Sequence, residues 1–333
     1  MRQRNQKRQV AIGVGFALSA FFLWLAFRQV DGASLVVAFT TIHFTPVLFC
    51  VVTLALGIVL RSLRWRVIAG FPSEAQRSFA RATNLGVLTN LIFPGRAGEF
   101  VRVITLAKLL RISLPRPLAS ALIDRFVDVF VLLASASALY WLFPISDVLG
   151  KWLVSFFIVG CLIVTAVVVY AKSAGVGEVI IVRLTNRWLK RWPLQPQVFL
   201  AELRQEFRRL LNSWLSFELV LLAASILCAD YAAIAALVWA FNLSLPWEAA
   251  LLLWVFLAAG SALPSAPGYV GVYQVAAVWA LGLFAVPAPT AVALATVLQI
   301  CTLIVALLMV GPSAVGVFKR NLPAKPPFES QES

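Results

Sequence analysis

"TNLIFPGRAGEF", residues 89–100, places a proline, two glycines, an arginine and a glutamate inside an otherwise apolar chain. The fold turns on whether this stretch crosses a membrane, lies outside it or folds back within it. Pro94–Gly95 breaks any helix that enters, because proline lacks the amide donor and clashes with the preceding turn. Basic residues flank the surrounding region on both sides, Arg77 and Arg81 before it, Lys108 and Arg111 after it. Both ends of 82–110 are therefore expected on the cytoplasmic side. The consistent solution is a re-entrant hairpin: one half-helix in, a break, one half-helix back.

Composition supplies the membrane. Of 333 residues, 61% are hydrophobic and 13% charged, with mean hydropathy +0.91. A soluble domain needs more charge than that to cover its surface. Apolar runs at 10–27, 46–60, 129–143, 152–170, 219–241 and 288–311 approach or reach the roughly 20 residues that cross a hydrocarbon core. Period-two alternation is absent, which excludes a barrel. The net charge of +14 falls in blocks between apolar runs, so it reads as positive-inside asymmetry facing anionic headgroups, and nucleic acid is not expected as a partner. Both termini are expected in the cytoplasm, and the membrane to be a bacterial-type cytoplasmic (inner) membrane. The four cysteines stand singly in apolar runs, with no disulfide or zinc spacing.

Working outward, six spans are expected at 10–28, 46–62, 118–143, 151–171, 214–241 and 288–312. Span two ends in "RSLRWR" (61–66), where Arg61, Arg64 and Trp65 suit the interface. Residues 178–213 are basic and amphipathic; Leu203, Phe207, Leu210 and Trp214 recur at helical spacing, which suits helices lying in the cytoplasmic interface. A second interrupted region, 247–285, has no basic flank, so both its ends are expected outside. It breaks at "LPSAPG", as the first breaks at "FPGRAG". The expected fold is an all-α polytopic membrane protein: six transmembrane helices plus two opposed re-entrant hairpins in an inverted repeat. Residues 1–9 form a basic N-terminus, 10–312 one membrane domain and 313–333 a disordered tail.

Chemistry concentrates at the breaks. The first N–H groups of a half-helix lack internal partners and lie at its positive end, a site for phosphate. Gly95 and Gly98 would let a ligand approach, and Arg96 would add a planar fork. Glu99 is three residues from both Arg96 and Arg102, so either pair can meet on one face. The other reading is a structural ion pair that lets the hairpin fold in lipid. In "DRFVD", Asp124 and Asp128 share a face and Arg125 lies three residues before Asp128; substrate binding and structure both stay open there. Asp230 lies deep in span five, where either coupling or a hydrogen bond to a neighbouring helix would place it.

"RSLRWR", "NLIFPGRAGEFVRV" (90–103), "DRFVD" (124–128) and "LPSAPGYVGVYQ" (263–274), in that order, resemble the membrane region of lysylphosphatidylglycerol synthases and their free-standing flippase-like relatives. The resemblance spans roughly 45–312. It implies a helical domain that moves a lipid between leaflets, and highlights Arg61, Arg64, Pro94, Arg96, Gly98, Glu99, Arg102, Arg125, Asp128, Pro264, Gly268 and Gly271. Where an acid is common after the second glycine pair, this chain has Gln274. The synthase activity is not expected to carry over, since about twenty Pro-rich residues follow span six.

The expected function is transport of an anionic or phosphate-bearing lipid, whether an anionic phospholipid or a polyprenyl or terpenoid lipid, with no cofactor. A scaffold or regulator of lipid synthesis is an alternative. A lipid-phosphate enzyme would need a nucleophile with a base, or a metal cluster; one external histidine (His43) and isolated cysteines offer neither, so no catalysis is expected.

Overall fold

The structure, a computed structural model, describes residues 20–28, 30–93, 96–142, 196–211, 213–262 and 267–319, with residue 17 and scattered positions between 151 and 169. Pro94, Gly95 and Pro264, the interfacial stretch 178–195, much of the span expected at 151–171 and the tail from 320 lie outside the described residues. Every described element is a helix. Two short helices, α1 (Ala20–Phe27) and α2 (Gly32–Thr40), meet at 86°. Asp31 makes the corner: its carboxylate accepts the Ser34 N–H at 3.1 Å and so starts α2.

The remaining helices are α3 (Phe44–Ala69), α4 (Gln76–Ile92), α5 (Ala97–Leu110), α6 (Pro115–Leu142), α7 (Pro196–Leu210), α8 (Ser213–Ala240), α9 (Trp247–Ser261), α10 (Val272–Gly282) and α11 (Ala288–Lys319). Three of them, α3, α8 from Trp214 and α11 up to Val310, are long and apolar enough to cross a membrane. In contrast α4, α5, α9 and α10 have 17, 14, 15 and 11 residues. At about 1.5 Å per residue none reaches the roughly 30 Å of a hydrocarbon core.

The order long helix, short pair, long helix occurs twice, as α3–α4–α5–α6 and α8–α9–α10–α11. Within each short pair the halves pack on one another, and α3 lies along α8. Small residues permit these close approaches: Ala233, Ala236 and Ala240 of α8 and Ala291, Ala293 and Ala295 of α11 are all buried in the main core, as expected where dispersion rather than the hydrophobic effect holds helices together.

Two boundaries differ from the sequence reading. The first short helix pair starts at Gln76, where the sequence places the start of a hairpin at 82, because Arg77 and Arg81, counted as flanks, occupy the first turns of α4. Helix α3 continues to Ala69, where Gly70 at φ 64° ends it; the Gly70 and Phe71 N–H groups close back on Val67 and Arg66 carbonyls, a left-handed C-terminal cap. "RSLRWR" is therefore helix interior, with Arg64 and Trp65 packed inside the protein. Arg64 is 1% and Trp65 0% exposed, and the Trp65 indole donates to Ser120 Oγ at 3.1 Å and stands edge-on to Phe79. In the amphipathic segment Leu203, Phe207 and Leu210 pack on Ile68 and Ile123 as the spacing predicts. Trp214 is exposed instead, since α8 already begins at Ser213.

Candidate functional site

A cavity of about 610 Å³ lies where the two short helix pairs face α3, α6 and α8. Its walls are mostly aliphatic, with Leu54, Ile58, Leu132, Ile226 and Leu298 among them. Charged side chains enter it in three groups.

The first group joins α3, α5 and α6. Asp124, fully buried, accepts from Arg64 Nε at 2.9 Å and from Arg102 Nη1 at 3.0 Å. Arg64 also binds Asp128. Arg125 reaches Asp128 at 2.8 Å and Glu99 at 3.2 Å, while Glu99 meets Arg102 at 2.9 Å. Arg102 lies over the Trp65 ring, 4.8 Å from its centre. Three arginines and three carboxylates thus form one network of zero net charge. Its inner members, Arg64, Arg102 and Asp124, are buried; Arg64, Glu99, Arg125 and Asp128 line the cavity. The i,i+3 pairs foreseen for Glu99–Arg102 and Arg125–Asp128 are present.

The second group joins α3 and α8. Asp230 pairs with Arg61 and accepts the Trp254 indole N–H at 3.1 Å. Gly57 leaves room for the pair: a Cβ there would meet Arg61 Nη1 at 2.9 Å and Asp230 Oδ1 at 3.2 Å. The acid that looked solitary in the sequence has its partner 169 positions away.

The third group is at the breaks. Arg96 donates from Nε to the Ser261 carbonyl at 2.8 Å and from Nη2 to Ser261 Oγ at 3.0 Å. Ser261 is the last residue of α9, so an arginine at the start of α5 caps the negative end of α9. The Tyr269 hydroxyl lies beside the Arg96 guanidinium, and Tyr269 stacks on Tyr273 at 5.2 Å. Arg96 and Tyr269 have φ of 56° and 60°. Left-handed backbone at non-glycine residues stores strain of about 1–3 kcal/mol, which clusters at functional sites. Here one such residue stands at each break, and the two touch.

Three expected roles fall differently. The N–H of Gly98 is not free: it donates to Asn90 Oδ1 at 2.8 Å, and the Glu99 N–H donates to the Arg96 carbonyl. Gly98 itself serves packing, because a Cβ there would lie 1.9 Å from the Gly86 carbonyl of α4. Glu99 holds Arg102 and Arg125, and Arg96 turns the other way. Gln274 is buried away from the cavity. Its Oε1 caps the Gly271 N–H at 2.8 Å and its Nε2 donates to Gln299, whose own amide holds the Gly268 carbonyl. Neutral amides here set the shape of the second break. A Cβ added at Gly268, whose φ is 67°, would lie 3.5 Å from the Leu91 carbonyl, so this turn packs on the last turn of α4.

Asn90, Trp254, Ser261, Tyr269 and Tyr273 line the cavity without having been singled out from the sequence. The two tyrosines, inside "PGYVGVY", carried a signal: aromatic residues four apart next to a break. Among the described residues no three His, Cys, Asp or Glu side chains are grouped to hold a metal ion.

A family model described as "Lysylphosphatidylglycerol synthase TM region" matches residues 12–309. No curated protein and no solved structure matches the chain.

Proposed function

Starting from a chain that belongs to the family of the lysylphosphatidylglycerol synthase TM region, we propose that it moves a phosphate-bearing lipid between the two leaflets of its membrane. An integral membrane protein of this family has a lipid-related role; transport is the specific reading. The observation that carries it is Arg96: a guanidinium in an amphipathic cavity, bound among the described residues to the neutral oxygens of Ser261, at the point where two broken helix pairs meet.

In this reading the headgroup phosphate approaches Arg96, whose second amino edge is not engaged by Ser261. The acyl or isoprenoid chains run along the aliphatic wall. Drawing Arg96 toward phosphate loosens its hold on α9, which couples headgroup binding to movement of one hairpin against the other. Arg61–Asp230 and the six-residue network hold the surrounding helices together meanwhile. The proposed topology has six spans with two opposed re-entrant hairpins and cytoplasmic termini, in a bacterial-type inner membrane. The lipid emerges chemically unchanged.

A photoreactive phospholipid analogue, with the reactive group near the phosphate, tests the placement. Crosslinks should map to Asn90 and Tyr269. Crosslinks confined to outward-facing residues such as Phe44 and Trp141, both highly exposed, would count against it.

A further inference from the structure

The charges that line the cavity are Arg61, Arg64, Arg96 and Arg125 against Glu99, Asp128 and Asp230. Behind them Arg102 and Asp124 cancel. Among the described residues, every one of these cations except Arg96 has a carboxylate within salt-bridge distance. Arg96 is bound to the carbonyl and hydroxyl oxygens of Ser261, with a neutral phenol beside it. Counted over the described residues, the cavity therefore carries a surplus of one positive charge, localised on one guanidinium.

We infer that the headgroup this cavity takes carries a single negative charge, as a phosphodiester does, and that phosphomonoesters and diphosphates are disfavoured. This rests on the reading of the cavity as a lipid-headgroup site. A monoanion neutralises the surplus. A second negative charge would have to draw Arg61 from Asp230, which then keeps only the Trp254 indole, or Arg125 from Glu99 and Asp128, which leaves three carboxylates sharing Arg64 and Arg102 among aliphatic walls. The total is the same whichever arginine moves. Neutral donors supply what a diester still needs, because its oxygens share one charge and accept ordinary hydrogen bonds from groups such as the Tyr269 hydroxyl.

The test compares lipids that differ only in the ester. The full chain in detergent is labelled with a photoreactive dioleoylphosphatidylmethanol, and unlabelled competitors are added at about pH 9, well above the second phosphomonoester pKa of about 6. Dioleoylphosphatidylmethanol should displace the label at a concentration about tenfold or more below that needed for dioleoylphosphatidic acid, with dioleoylglycerol weaker than the diester. If phosphatidic acid displaces as well or better, the single-charge rule is overturned while the lipid site stands. If no lipid displaces the label, or Arg96→Gln is labelled as strongly as the unsubstituted chain, the site reading fails and the inference with it. The lipid comparison uses the unsubstituted protein, so it does not depend on how the variant folds.

Discussion

Arg96 holds Ser261 through two hydrogen bonds, from Nε to the carbonyl at 2.8 Å and from Nη2 to the hydroxyl at 3.0 Å. The break of one helix pair thereby fastens the end of the other, across 165 positions of sequence. Lysine has the charge but not the fork. Arg96→Lys should fold, keep the cavity cationic and lose one of the two bonds; a hydrogen bond from a charged donor contributes roughly 1.5–3 kcal/mol net. Melting of the detergent-solubilised variant should fall moderately, while lipid movement drops. An Arg96→Lys protein with unaltered transport would reduce Arg96 to a charge.

The network around Asp124 separates an inner from an outer acid. Asp124→Asn leaves Arg64 and Arg102 buried with their main carboxylate gone, a change that costs about 3–5 kcal/mol in buried pairs. Asp128, with a side chain 29% exposed, and Glu99, at 27%, should cost less when neutralised. Thermal unfolding of the three single variants should rank Asp124→Asn as the most damaging. Equal losses at all three positions would contradict the geometry.

Glycine 98 tests packing against ligand access. Gly98→Ala drives a Cβ into the Gly86 carbonyl, backbone against backbone, so overpacking should cost about 1–3 kcal/mol or more. Gly282→Ala, with nothing within 4 Å of its Cβ, is the matched control and should be close to neutral. Comparable unfolding temperatures for the two would show that α4 and α5 do not cross as described.

The hairpin reading is open to labelling from either side of the membrane. Arg77→Cys and Ser113→Cys lie at the outer ends of α4 and α5, both exposed. An impermeant thiol reagent should reach both from the same face. Reaction from opposite faces would make 76–110 a crossing segment.

Much of the architecture is legible in the sequence itself. Apolar length marked α3, α8 and α11, and Pro–Gly clusters marked both interruptions, since these signals are local and carried by backbone chemistry. The i,i+3 ion pairs were legible for the same reason. What one sequence could not disclose was partnership over distance. Arg64 and Trp65 looked interfacial because a helix end rich in arginine and tryptophan usually is; only the arrival of Asp124 and Ser120 from α6 makes that end a core. Asp230 looked alone because Arg61 is on another helix. Gly98 was read as an opening for ligand when its neighbour is Gly86, twelve residues back on the opposing half-helix. The cap on its N–H by Asn90 was hidden too, because asparagine is an ordinary residue in a helix and only the fold aims it.

If lipid crosses the membrane by way of Arg96 without being altered, exchange between leaflets depends on that guanidinium. Pure protein in proteoliposomes, with a headgroup-labelled phosphodiester lipid and an impermeant reagent that destroys outer-leaflet label, measures this directly. Label should be lost from the inner leaflet faster with the unsubstituted chain than in protein-free vesicles. With folded Arg96→Ala the rate should return to the protein-free value, and recovered lipid should have unchanged mass. Exchange no faster than in empty vesicles, exchange equally fast with Arg96→Ala, or a lipid of altered mass would contradict it.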